Sequence, residues 1–335
     1  MKMKMLALAF STLVAQSAFA AQEVNVYSNR QDELIKPIIQ QFEKETGIKV
    51  NVVFAKEGLN ERLEREGKLS PADLMLTVDI SRLTELVDKD LVQPVDSKTL
   101  QENIPSIYRD PDNRWFALTT RVRAIYSSKE RLGKLDTIRY EDLVKPEFKG
   151  KICTRSGKHE YNVALVSSMI AHHGMADTKT WLEGVKANLA RKPQGNDRDQ
   201  VKAIKDGICD VSLGNSYYLG AMLKDPAQKF WADAVEINFP NQGDRGAHVN
   251  VSGVAMTKYA KNKDAAQKLM EFLSGDTAQH MYADVNAEYP VKAGVEPSAM
   301  VKSWGTFKSD PMPVSDYAKH RKDALQLLDE VKFDL

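Results

Sequence analysis

Two adjacent phenols, Tyr217 and Tyr218, follow the run Cys209-Asp210-Val211-Ser212-Leu213-Gly214-Asn215-Ser216. That run reads as a short β-type segment, and open α/β sheets place their ligands at strand ends facing a crevice. A phenol ionises near pH ~10 in water, so at neutral pH it binds a metal only if the metal drives the proton off. A hard, highly charged cation can do this, whereas soft metals choose thiolate or imidazole. Most neighbouring tyrosines simply pack or hydrogen-bond, so the pair needs support from elsewhere. Tyr161, in Lys158-His159-Glu160-Tyr161-Asn162, sits at the start of an expected helix, where packing or capping is its ordinary use. Arg30, Arg121 and Arg123 are candidate anion donors, because a guanidinium fork matches a planar oxyanion. Arg121 and Arg123 lie two apart on an expected strand and so share a face.

Other chemistries find less support. His172-His173 closes an expected helix, where a partly positive imidazole suits the helix dipole. His159 is the one histidine placed to add a donor beside Tyr161, and His248 reads as structural. His280 and His320 sit in polar helical contexts. No Cys or His pair has finger-like zinc spacing. Scattered methionines do not suggest copper. No Ser-His-Asp order, catalytic carboxylate pair or Gly-Lys-Ser/Thr phosphate loop stands out.

The elements that must position these residues follow an address label. Lys2 and Lys4 precede the apolar run Met5 to Val14, and Ser17-Ala18-Phe19-Ala20 offers a small-residue cleavage site. Residues 1–20 therefore read as a signal peptide, and no later run reaches the length of a membrane span. Without the peptide, 45 basic residues face 46 acidic ones, which points to neither nucleic acid nor an anionic membrane. The 315 remaining residues suit two domains. In an oxidising compartment the two cysteines, Cys153 and Cys209, are expected to pair, with two buried free thiols as the alternative.

Strand–helix alternation fills the first hundred mature residues. Strands are expected at 23–28, 48–54 and 73–78, and helices at 32–46, 59–66 and 81–91. This rhythm predicts a parallel sheet covered on both faces. A second α/β unit follows, with strands at 123–127, 151–154 and 209–213 and helices at 163–172, 178–188 and 201–206. A strand at 248–252 and a helix at 263–274 return. Crossovers near 120–124 and 246–251 give two doubly wound lobes on a two-strand hinge. The lobes are read as 21–120 with 247–295, and 121–246 with 296–335. Such a cleft can shut on a ligand.

Val26-Tyr27-Ser28-Asn29-Arg30-Gln31, Gly47-Ile48-Lys49-Val50, Ser70-Pro71-Ala72-Asp73, Gly214-Asn215-Ser216-Tyr217-Tyr218 and the return strand Arg245 to Gly253 occur in one order. In that order the chain resembles periplasmic ferric-ion-binding proteins, the substrate-binding components of ABC iron importers. The resemblance spans essentially the whole mature chain. It implies a bilobal type II periplasmic binding protein fold that carries Fe(III) to an inner-membrane permease and works as a non-enzymatic monomer. It maps the family's tyrosine pair onto Tyr217 and Tyr218, and the third tyrosine of one subgroup onto Tyr161. Arg30 and Gln31 stand where other members carry a His or Tyr ligand, and Val78, beside Asp79, stands where some carry an acidic one. The resemblance thus implies ligands from the second lobe alone, with carbonate or water completing the shell. Arg30, Gln31, Arg121 and Arg123 would hold the anion or support the ligands. The rival readings are an oxyanion or small organic cargo in the same fold, and a secreted enzyme using a tyrosine as acid or base.

Overall fold

The computed structural model describes residues 22–335, so the expected signal peptide lies outside the described residues. Strands β1 (Glu23–Ser28), β2 (Lys49–Phe54) and β3 (Leu74–Thr77) alternate with helices α1 (Asp32–Thr46), α2 (Leu59–Glu66) and α3 (Ile80–Asp88). The spacing of Ile35, Ile38, Ile39 and Phe42 gives α1 one apolar face, and all four side chains are buried. Gly47 ends α1 at φ 70°, its N–H donating to the Glu43 carbonyl, a conformation open to glycine at little cost. β1 pairs in parallel with both β2 and β3.

After α4 (Lys98–Asn103) comes β4 (Phe116–Ser128), thirteen residues long and buried throughout. The second lobe adds β5 (Ile152–Cys153), α5 (Glu160–Ala187), α6 (Asp197–Lys205), β6 (Val211–Asn215), α7 (Tyr217–Lys224), α8 (Lys229–Ala232) and β7 (Val235–Asn238). The chain returns through β8 (Val249–Met256) to α9 (Lys263–Ser274), α10 (Asp276–Asn286) and β9 (Tyr289–Pro290), and ends in α11 (Ala299–Lys302), α12 (Val314–Ala318) and α13 (Arg321–Glu330).

The strands line up as β2-β1-β3-β8-β4-β6-β5, with β7 and β9 also on β4. β8 runs antiparallel to both β3 and β4, and β4 antiparallel to β6 and β7. The first three strands form the expected parallel sheet, and β8 and β4 extend it antiparallel into a mixed sheet.

β4 is the common member of the three apolar cores. Phe116 to Leu118 pack in the first core, Ile125 in the second, and Val122, Ala124 and Tyr126 in the third. The C-terminal segment also divides, with Tyr317 of α12 in the first core and Leu327 of α13 in the second. α5 is divided at Gly174, whose backbone is non-helical (φ 77°, ψ 173°), into two helical runs that correspond to the two helices expected at 163–172 and 178–188. His172 is bound to Asp310 (2.6 Å) and His173 to Glu141 (2.8 Å). Cys153 and Cys209 form a disulfide, with Cα atoms 5.9 Å apart, tying the end of β5 to the start of β6.

His248, just before β8, is 2% exposed, and neither ring nitrogen has a hydrogen-bond partner among the described residues. Burial, aided by Arg123 and Arg245, pushes its pKa down to about 3. The unfolded chain takes up a proton below about pH 6.5 that the folded protein refuses. Stability is therefore whole above pH 6.5 and declines as pH falls toward 3, by up to about 1.4 kcal/mol per unit for this group. Urea unfolding at about pH 7.5 and 5 should show a smaller acid loss for His248→Asn than for the wild type. The variant retains the parallel contribution of His159, which burial and Arg155 also push to about 3.

Candidate metal centre

Three phenols meet at one wall of the cleft between the lobes. Tyr161 lies in the first turn of α5, and Tyr217 and Tyr218 in the first turn of α7. The Tyr161 and Tyr217 hydroxyls are 3.1 Å apart, and the Tyr217 and Tyr218 ring centres 4.3 Å. Both helix starts bring the positive end of a helix dipole close to oxygens that carry negative charge once ionised. The three rings line a cavity of about 540 Å³ together with Arg30, Gln31 and Arg121.

The frame explains why the phenols converge. Gly214 of β6 packs under Tyr126 of β4 so closely that an added Cβ would lie 2.4 Å from its ring. Tyr126 then donates its hydroxyl to the Asn215 carbonyl (2.9 Å), fixing the backbone two residues before Tyr217. The Ser216 hydroxyl accepts the Val122 N–H (3.2 Å), which pins the start of α7 to β4. On the other side, the His159 Nδ1 accepts the Tyr161 N–H (3.3 Å), and the two rings meet edge to face. That nitrogen caps α5, so His159 serves the helix rather than the cavity.

The candidate arginines separate into two kinds. Arg30 is spoken for: Glu288 binds it at 2.8 and 3.2 Å, Ser252 and Thr119 accept from it, and all are buried. Burial works against the Arg30 charge, and the Glu288 carboxylate more than offsets it. Arg123 is also engaged, donating to Asp197 (2.7 Å), Asn162 (2.7 Å) and Asn215 (3.1 Å). Arg121 differs. It is 2% exposed and lines the cavity, and its Nε and Nη2 have no partner among the described residues. Gln31 faces the cavity at the start of α1, without a side-chain cap bond. Val78 lines the cavity, whereas Asp79 is buried and caps α3, accepting from Ser81 and Asn250.

Burial raises the pKa of both Tyr161 and Tyr217, and Tyr218 adds to the rise in each while Arg121 opposes it. Tyr161 and Tyr217 are thus neutral, and only a cation strong enough to displace protons would bind them as phenolates. Among the described residues, no three His, Cys, Asp or Glu side chains gather as an alternative metal site. Residues the sequence reading did not single out are Arg198, whose guanidinium lies 5.5 Å from the Tyr218 ring centre, and Lys56, Asn196 and Glu288 on the cavity wall. A start signal was present for α6, since Asn196 and Asp199 form a capping box. It would have moved that helix's start from Val201 to Asp197 and brought Arg198 to the cleft.

Two α/β lobes on paired crossover strands, with a ligand wall between them, define a bilobal binding protein of the type II periplasmic class. Residues 70–309 match the bacterial extracellular solute-binding proteins, and the chain belongs to that family. It is 41% identical over 320 residues to iron uptake protein A1 of Synechocystis, which covers 95% of this chain and 89% of that protein. Its fold matches Mannheimia haemolytica ferric iron-binding protein A in an open conformation, with a TM-score of 0.91, 60% identity, and coverage of 94% of this chain and 100% of that one. A Trichodesmium protein solved with iron and citrate matches at a TM-score of 0.90 and 41% identity, covering 93% of this chain and 99% of that one.

Gly214→Ala should cost about 1–3 kcal/mol by overpacking against Tyr126, read as a lower urea midpoint.

Proposed function

We propose that this protein captures Fe(III) in the periplasm through Tyr161, Tyr217 and Tyr218 and hands it to an ABC permease. One observation carries the reading: three phenols from two helix starts converge on one cavity, beside the buried Arg121, whose Nε and Nη2 have no partner among the described residues. Three phenolates neutralise a +3 ion, and phenolate oxygen is a hard donor suited to it. A small planar anion such as carbonate fills further positions and gives Arg121 its partner. The ferric iron-binding relatives and the iron-bound Trichodesmium structure support this cargo.

In this reading the first lobe closes over the site, and the second, which carries α5, α6 and α7, holds the ligands. The protein acts as a monomeric carrier and not as an enzyme. Every phenol that binds must release its proton, so loading acidifies the medium and affinity falls as pH falls.

Iron titration followed by visible absorbance tests the ligand set. The wild type should take up about one iron per chain and turn red-orange through phenolate-to-iron charge transfer. Tyr217→Phe and Tyr218→Phe should each abolish or strongly shift that band, and an unchanged spectrum in both would falsify the assignment. Protein that binds an oxyanion and no metal would favour the rival cargo.

Arg121→Gln tests the anion. With bicarbonate supplied, wild-type iron affinity should rise, and the variant should lose roughly tenfold or more of that gain. Equal bicarbonate dependence in both proteins would remove Arg121 from the role.

A further inference from the structure

A single buried carboxylate joins the two segments that carry the phenols. Asp197, the first residue of α6, is fully buried. Its Oδ2 accepts from Arg123 Nη1 at 2.7 Å and from the Asn215 backbone N–H at 3.0 Å, and its Oδ1 accepts from Arg155 Nη1 at 3.3 Å. Asn215 lies two residues before Tyr217. The other end of the Arg123 fork donates to Asn162 Oδ1 at 2.7 Å, and Asn162 directly follows Tyr161. Asn162 in turn donates to Thr154, Arg155 and Ser156 at 3.1–3.2 Å, so the loop before α5 hangs from the same chain of bonds.

We infer that Asp197 is a positioning residue for the ferric site: through Arg123, it sets the distance between the Tyr161 segment and the Tyr217–Tyr218 segment. The inference rests on the tyrosine ligand set proposed above. Asp197 does not line the cavity, so it touches neither ion nor anion and acts through its neighbours. Its carboxylate also determines where two guanidinium groups rest. The Arg155 and Arg123 forks sit 5.2 and 6.0 Å from the Tyr161 ring centre, so their placement sets the packing around that ring. Without the carboxylate, Arg123 and Arg155 repel each other, the Asn215 N–H loses its acceptor, and both phenol-bearing backbones are released together. A buried ion pair that loses one partner leaves an uncompensated charge, so the effect is large for one atom's change.

Asp197→Asn is the direct test, read by ferric affinity and by the position of the charge-transfer band. Asp73→Asn is the control. Asp73 is equally buried and accepts from Asn25, Lys261 and Asn262 in the first lobe, far in sequence from every phenol. Both variants should lower the urea midpoint. Only Asp197→Asn should move the band and weaken ferric binding by roughly 10–100-fold, as loss of an outer-sphere partner does. Should Asp197→Asn not fold, Asn162→Ser interrupts the same chain of bonds at its far end and should shift the band in the same way. A wild-type band position and affinity in whichever variant folds would overturn the positioning role. So would an equal band shift in Asp73→Asn. A wild type that develops no band with ferric iron would instead defeat the ligand set itself, which separates the two failures.

Discussion

Phenols are poor cation ligands until their protons leave, and once ionised they repel one another. On the proposed ligand set, the site therefore depends on a frame stiff enough to hold Tyr161, Tyr217 and Tyr218 together against that repulsion. Burial is part of the frame's effect, because it keeps the Tyr161 and Tyr217 phenols neutral until a strongly charged ion arrives. The same burial excludes water, which strengthens the ion–oxygen attraction when it forms. Selectivity follows from this opposition, since a weakly charged ion cannot offset the loss of the protons.

β4 supplies much of the stiffness. Its Val122 N–H pins the start of α7, its Tyr126 anchors Asn215, and its Arg123 reaches Asn162 beside Tyr161. The strand is also paired with β8 from Phe116 to Val122, so the hinge and the ligand wall are parts of one element. Arg121 lies on that shared stretch, opposite Asn250.

Much of the architecture was legible because it is local. The helices at 32–46, 59–66 and 263–274 occur at the residues their apolar periodicity and caps indicate. α7 was not legible, since its capping serine spends its hydroxyl on Val122 and so gives no local start signal. The fates of the arginines were hidden for a similar reason. Arg30 finds Glu288 across 258 residues and Arg123 finds Asp197 across 74, and nothing near either arginine announces its partner. The convergence of Tyr161 and Tyr217, 56 residues apart, was reachable only through family likeness. The break at Gly174 falls where periodicity already divides the stretch into two helices.

On the proposed ligand set, every donor stands on the same jaw, while the opposing jaw has given its cleft arginine to Glu288. Parting the jaws then strips no bond from the metal. Unloading is accordingly a matter of acid, electrons or a competing chelator rather than of mechanical opening, and whatever receives the ion must bring one of these to the open mouth.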